Sequence, residues 1–113
     1  MKPAALALAL AVLAPLPALS ADSACLAAAT LHAVDYLQTR EIARNPDRFY
    51  ERNPLLGRHP SQTAVAGYFL GTGALLYTAC NSGWGGDWLK YGWIAVEVGA
   101  VANNVAIGVK LRF

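Results

Sequence analysis

The sequence predicts an all-α protein: a polytopic membrane helix bundle with three spanning helices after an N-terminal signal-like segment. Three observations carry this expectation. Hydrophobic residues make up 56% of the 113 positions and charged residues only 14%, against about 25% charged in ordinary soluble domains. The charges are clustered, so long apolar stretches run between them. Trp84, Trp88, Tyr91 and Trp93 gather beside one glycine-rich turn, as the aromatic belt of a membrane interface does.

The chain is long enough for one unit, so residues 22–113 read as a single membrane domain. A net charge of +2 is too small to argue for nucleic acid, and there is no basic patch interleaved with aromatics. The expected partners are the lipid bilayer and either further copies of the chain or another membrane protein. No cofactor is expected.

Residues 1–21 have the layout of a secretory signal peptide. Met1-Lys2-Pro3 is a basic start, Ala4 to Leu13 an apolar run, and Ser20-Ala21 supplies small residues for cleavage. The run is shorter than the roughly 20 residues that span a bilayer. An uncleaved anchor is the alternative. Lipidation of Cys25 is disfavoured because Asp22 stands three positions before it.

The first helix of the mature chain is expected over 23–43. It is marginal on its own, because Asp35 costs about 2.5–3.5 kcal/mol at mid-membrane while each Leu or Val returns only about 0.3–0.6. It requires neighbours that satisfy its polar stripe. Residues 44–61 form a polar connection. Asn45-Pro46-Asp47 reads as the start of a short interfacial helix. Asn53-Pro54-Leu55-Leu56-Gly57 reads as a turn, and Ser61 as the cap of the next helix. That helix, 62–80, carries no charge and has about the length of a span at 1.5 Å per residue. A third helix is expected over 88–109.

Arg40, Arg44, Arg48, Arg52 and Arg58 follow the first helix, and Lys110 and Arg112 follow the third. With three spans these fall on one side, leaving Lys90 on the other. The positive-inside rule then puts the Arg-rich loop and the C-terminus in the cytoplasm of a bacterial inner membrane.

The residues that could carry chemistry are polar side chains within the helices. The first helix has a stripe of Cys25, His32, Asp35 and Thr39, with Gln38 beside it. The third has Glu97, Asn103 and Asn104. Aligning the helix starts puts His32 level with Glu97 and Gln38 level with Asn104, within about one turn; Tyr68 and Thr72 of the second helix reach similar depths. The expectation is a buried cluster of His32, Asp35, Gln38, Glu97, Asn103 and Asn104. It reads either as polar adhesive between helices or as a proton, ion or small-molecule site. A metal site from His32, Asp35 and Glu97 has no spacing motif behind it, so none is expected. No catalytic residue is expected either, since no nucleophile stands beside a base. Gly67 and Gly71 form a GxxxG pattern, read as packing within the chain rather than dimerisation. Cys25 and Cys80 both fall at the outer ends of helices, where an oxidising compartment would allow a disulfide. Two small buried thiols are the alternative.

The segment from Asp35 through Gln38-Thr39-Arg40, with Glu51, Asn53, Pro54, Gly57, His59 and Pro60 in the following turn, is similar to a group of small multi-helix inner-membrane proteins of bacteria and their phages or prophages. The likeness covers about residues 31–109. It implies a multi-helix membrane protein and no particular activity. Within the turn, Glu51 is expected to pair with Arg40 or Arg58, and His59 to serve as a loop hydrogen-bonder. Three functions compete: a non-enzymatic structural or interaction role, a holin-like or lysis-related role, and a small oligomeric transporter using Asp35 and Glu97.

Overall fold

Two of the three helices begin where a side chain accepts hydrogen bonds from free backbone amides. The computed structural model describes residues 22–111. The signal-like segment 1–21 and residues 112–113, with Arg112 of the expected basic tail, lie outside the described residues. Asp22 opens α1 (Ser23–Arg44), its Oδ1 accepting from the amides of Ala24 and Cys25. Ser61 opens α2 (Gln62–Asn81), its Oγ accepting from Ala64 at 3.0 Å. α3 (Gly86–Ala106) starts in the glycine-rich turn and has no side-chain cap. There is no strand among the described residues.

α3 starts two residues before its expected position and ends three before it. Gly108, at φ +92°, takes the left-handed conformation that stops a helix. The Gly108 amide donates to the carbonyl of Val105, and the Val109 amide to that of Asn104. This pair of bonds is the Schellman motif, and the Val109 side chain is buried beside it.

α1 lies between the other two helices, antiparallel to α2 and parallel to α3, which make few contacts with each other. The central position explains its composition. Cys25, Ala28 and Ala29 are buried at one end, and small side chains there let Tyr77 and Trp93 pack closely. His32, Asp35, Gln38 and Thr39 are buried lower down, followed by Ile42. Of the described helices, α2 alone is long and apolar enough to cross a membrane by length and composition. Among the polar residues that lower the hydropathy of α1 and α3, His32, Asp35, Gln38, Thr39, Glu41, Glu97 and Asn104 are buried, while Arg44 and Asp87 are exposed.

One end of the bundle is clamped. Cys25 and Cys80 form a disulfide between α1 and α2. The Asp22 amide donates to Oδ1 of Asn81 at 2.8 Å, and Lys90 Nζ to Oδ2 of Asp22 at 2.6 Å. One residue, Asp22, thus ties α1 to both neighbours. The Lys90 ammonium, bonded to it, holds the Asp22 carboxyl below the usual carboxylate range, with the Ala24 amide adding to the effect.

The Arg-rich loop closes the other end. The expected short helix after Asn45 is a single turn: the Asn45 carbonyl accepts from the amides of Arg48 and Phe49 and the chain then leaves. The Asn45 side chain caps what precedes it instead, donating to the carbonyl of Glu41 at 2.8 Å. The turn after Asn53 forms: Oδ1 of Asn53 accepts from the Leu55 amide at 2.9 Å, the Asn53 carbonyl accepts from the Gly57 amide, and Gly57 takes φ +80°. The Glu51 amide donates to the Arg58 carbonyl at 2.8 Å and closes the loop. Glu51 does not make the expected ion pair. Its Oε1 accepts from the amides of Arg52 and Asn53, while the Arg58 guanidinium stacks over Tyr50 at 4.7 Å. The backbone amides lie nearer than either guanidinium and are fixed in place by the turn. His59 is exposed, next to buried Pro60.

The GxxxG expectation is corrected. Gly67 and Gly71 face away from α1 and α3, and a Cβ on either would meet nothing within 4 Å. The glycine that admits close packing is Gly73, where an added Cβ would lie 3.1 Å from Cδ2 of His32. A small-xxx-small spacing marks a smooth helix face without saying which neighbour covers it.

Candidate functional site

His32 is the centre of the buried polar group and touches all three helices. Its Nδ1 lies 3.0 Å from Oε1 of Glu97 on α3, and its Nε2 lies 3.0 Å from the carbonyl oxygen of Phe69 on α2. Thr72 Oγ1 lies 3.2 Å from the same Nε2, while its hydroxyl donates to the Tyr68 carbonyl at 2.6 Å. A carbonyl only accepts, and the Thr72 proton is already committed, so Nε2 must carry a proton. Nδ1 then shares a proton with Glu97. The pair is either imidazolium with carboxylate or imidazole with carboxylic acid, and both forms have zero net charge.

One turn lower, Asp35 Oδ1 accepts from Thr39 Oγ1 at 3.1 Å and from Asn104 Nδ2 at 3.2 Å. The same Nδ2 of Asn104 donates to Gln38 Oε1 at 3.0 Å. Gln38 Nε2 donates to the Val101 carbonyl at 3.4 Å. Buried polar groups need such partners, because each one left without costs about 1–3 kcal/mol. Four buried side-chain atoms lack one among the described residues: Oε2 of Glu97 and Nε1 of Trp93 beside His32, and Nη1 of Arg40 and Oε2 of Glu51 toward the loop.

The structure therefore brings together His32, Asp35, Gln38, Glu97 and Asn104. Asn103 stands apart. One residue further round α3, it faces the loop, and its Oδ1 accepts from Arg52 at 3.2 Å. Trp93 is buried in the bundle rather than standing in the aromatic belt, whereas Trp84, Trp88 and Tyr91 are exposed. Sequence reasoning missed two features, the Phe69 carbonyl and Gly73, which left no side-chain signal. The helical spacing that puts Trp93 on the face of Glu97 and Asn104 is legible in the sequence, and the three are buried together.

Among the described residues no group of His, Cys, Asp and Glu is arranged to hold a metal ion. His32 has both ring nitrogens engaged already, one on a carboxylate and one on a backbone carbonyl.

Two cavities meet at Glu97. One, of about 390 Å³, is polar and opens toward the loop, with Asp35, Glu51, Arg52, Asn53 and Asn104 on its walls. The other, of about 570 Å³, is largely apolar and lies toward the disulfide end, with His32, Thr72, Trp84, Trp88 and Trp93 on its walls. Tyr68, Val96 and Glu97 line both. Fold and site together define a disulfide-clamped three-helix bundle built round a buried histidine–carboxylate centre. No family model, curated protein or solved structure matches the chain.

Proposed function

We propose that this chain is a three-span protein of the bacterial inner membrane, without enzymatic activity, that works by lateral association with other membrane helices. The observation that carries the reading is the burial of polar and ionisable side chains in a bundle that exposes large apolar ones. His32, Asp35, Gln38, Glu97 and Asn104 are buried, while Leu75, Trp88, Val96, Val98 and Val105 are exposed. A water-soluble domain has the opposite preference, and ionisable residues within membrane spans face the bundle interior.

The charges support one orientation. Arg44, Arg48, Arg52 and Arg58 sit at the loop end, whereas Lys90 at the opposite end is neutralised by Asp22. The positive-inside rule puts the loop in the cytoplasm, and the disulfide suits an oxidising outer face. The open glycine faces of α2 and α3, at Gly67, Gly71, Gly92 and Gly99, suit close approach by a second copy or a membrane partner.

Reporter fusions at Gly57, Ser82 and the C-terminus test the topology. The expected result is cytoplasmic, external and cytoplasmic signals in that order, and an external Gly57 reporter sinks the model of orientation. Gly71→Cys in membranes tests association: oxidation should yield a cross-linked species, and monomer alone at every expression level would remove lateral self-association. Depolarisation on induced expression would favour the holin-like role instead.

A second reading is favoured by one observation, the position of Glu97 between two cavities. It makes the protein a small binding or transport unit, tested by proton flux in reconstituted vesicles.

A further inference from the structure

The apolar cleft above Glu97 has an unusual lining. Tyr68, Trp84, Trp88 and Trp93 surround it, with His32 and Glu97 among its polar groups. Glu97 is 5% exposed, and its Oε2 has no hydrogen-bond partner. A buried carboxylate oxygen without a donor is costly, and the α1 side chain beside it other than His32 is a second carboxyl, Asp35. Aromatic faces attract positive charge through the ring quadrupole, and indole does so best. A volume of about 570 Å³ is the size of a small-molecule site.

We propose that this cleft binds one hydrophobic organic cation, an ammonium or phosphonium compound, with its charge on Oε2 of Glu97 and its apolar groups against the tryptophans. The proposal rests on the second reading above and supplies its ligand class. Charge complementarity selects the occupant. An acyl chain or a neutral helix would fill the volume and leave Oε2 unpaired.

The charges also set the stoichiometry. Before binding, His32 and Glu97 share a proton and are neutral together. A cation adds one positive charge to a site walled by tryptophans. Neutrality returns when the shared proton leaves, giving neutral imidazole with its proton on Nε2, ionised Glu97 and the bound cation. One cation enters and one proton departs. The other ionisable groups near Glu97 are Asp35 from α1, Tyr68 from α2, and Glu51 and Arg52 from the loop.

The test uses the purified full chain in detergent and radiolabelled tetraphenylphosphonium, which is permanently charged and has no proton of its own. Saturable one-to-one binding is expected, tightening by about tenfold per pH unit while the pair holds its proton. Calorimetry in two buffers of different ionisation enthalpy should report about one proton released per cation. Glu97→Gln should lose at least tenfold in affinity. Trp88→Ala provides the variant that must fold, since that side chain is 89% exposed, and it should bind about threefold more weakly. Triphenylphosphine oxide, neutral and of similar shape, should not compete. Competition by this neutral compound, undiminished binding by Glu97→Gln, or binding without proton release each overturns the proposal. Absent cation binding alongside intact proton flux overturns it too, and leaves the transport reading standing.

Discussion

Nδ1 of His32 lies 3.0 Å from Oε1 of Glu97 across 65 positions of sequence, and the contact joins the first helix to the last. The same imidazole reaches α2 through the Phe69 carbonyl, so one side chain fixes the mutual depth of all three helices. Removing either partner strands the other. Glu97→Ala should destabilise the bundle by about 1–3 kcal/mol, read as a lowered midpoint in detergent unfolding. The pair His32→Leu with Glu97→Leu should cost less than the two single changes summed, because neither polar group is then left buried alone.

Gly73 and the GxxxG glycines should separate cleanly. Gly73→Ala sets a Cβ 3.1 Å from Cδ2 and 3.3 Å from Nε2 of His32, and overpacking of that kind costs about 1–3 kcal/mol. Gly67→Ala and Gly71→Ala meet open space, so the folded monomer should be unchanged or stabilised by up to about 1 kcal/mol through helix propensity. Thermal unfolding of the three variants checks the ranking.

The disulfide closes a loop across 55 positions of sequence. Loop-closure entropy puts its contribution at about 4 kcal/mol for a fully flexible unfolded chain. Cys25→Ser with Cys80→Ser should lower the unfolding midpoint accordingly. An alkylating reagent should label the native chain only after reduction, seen as a gel shift.

Asp22 should make the stability of the fold acid-sensitive. Its carboxyl titrates below the ordinary value of 3.8 because Lys90 bonds the charged form. A carboxyl with a lowered folded-state pKa stabilises the fold above its unfolded pKa, and the contribution fades as pH falls through the folded one. Asp22→Asn keeps the helix cap and loses the charge. The variant should melt below the native protein at pH 7 and with it at about pH 2.

The sequence made one part of the site legible for a geometric reason. His32 and Glu97 sit ten and twelve residues into helices that run in parallel from the same end, so their levels could be counted. Asn103 could not be separated from Asn104 in that way. Adjacent helical residues differ by about 100° in direction, and the loop that claims Asn103 through Arg52 has no periodicity. The same limit applies to the turn after Asn45. Cap chemistry was present, but the residues after it offered no apolar face to hold a helix down. The glycine faces were misread because spacing identifies a smooth surface and leaves its neighbour open. Hydropathy summed along α1 weighs His32 and Asp35 as though they faced outward, whereas both are buried.

The order in which the ribosome delivers these helices follows from the central position of α1. It is made first, yet Glu97 and Asn104, which complete its hydrogen bonding, are made last. Cys80 emerges before either of them. Oxidation can therefore lock the first two helices together while the polar groups of α1 still await α3, so biogenesis passes through a cross-linked hairpin with an open flank. A chain truncated before Gly86 would be caught in that state, with His32 and Asp35 lacking their α3 partners.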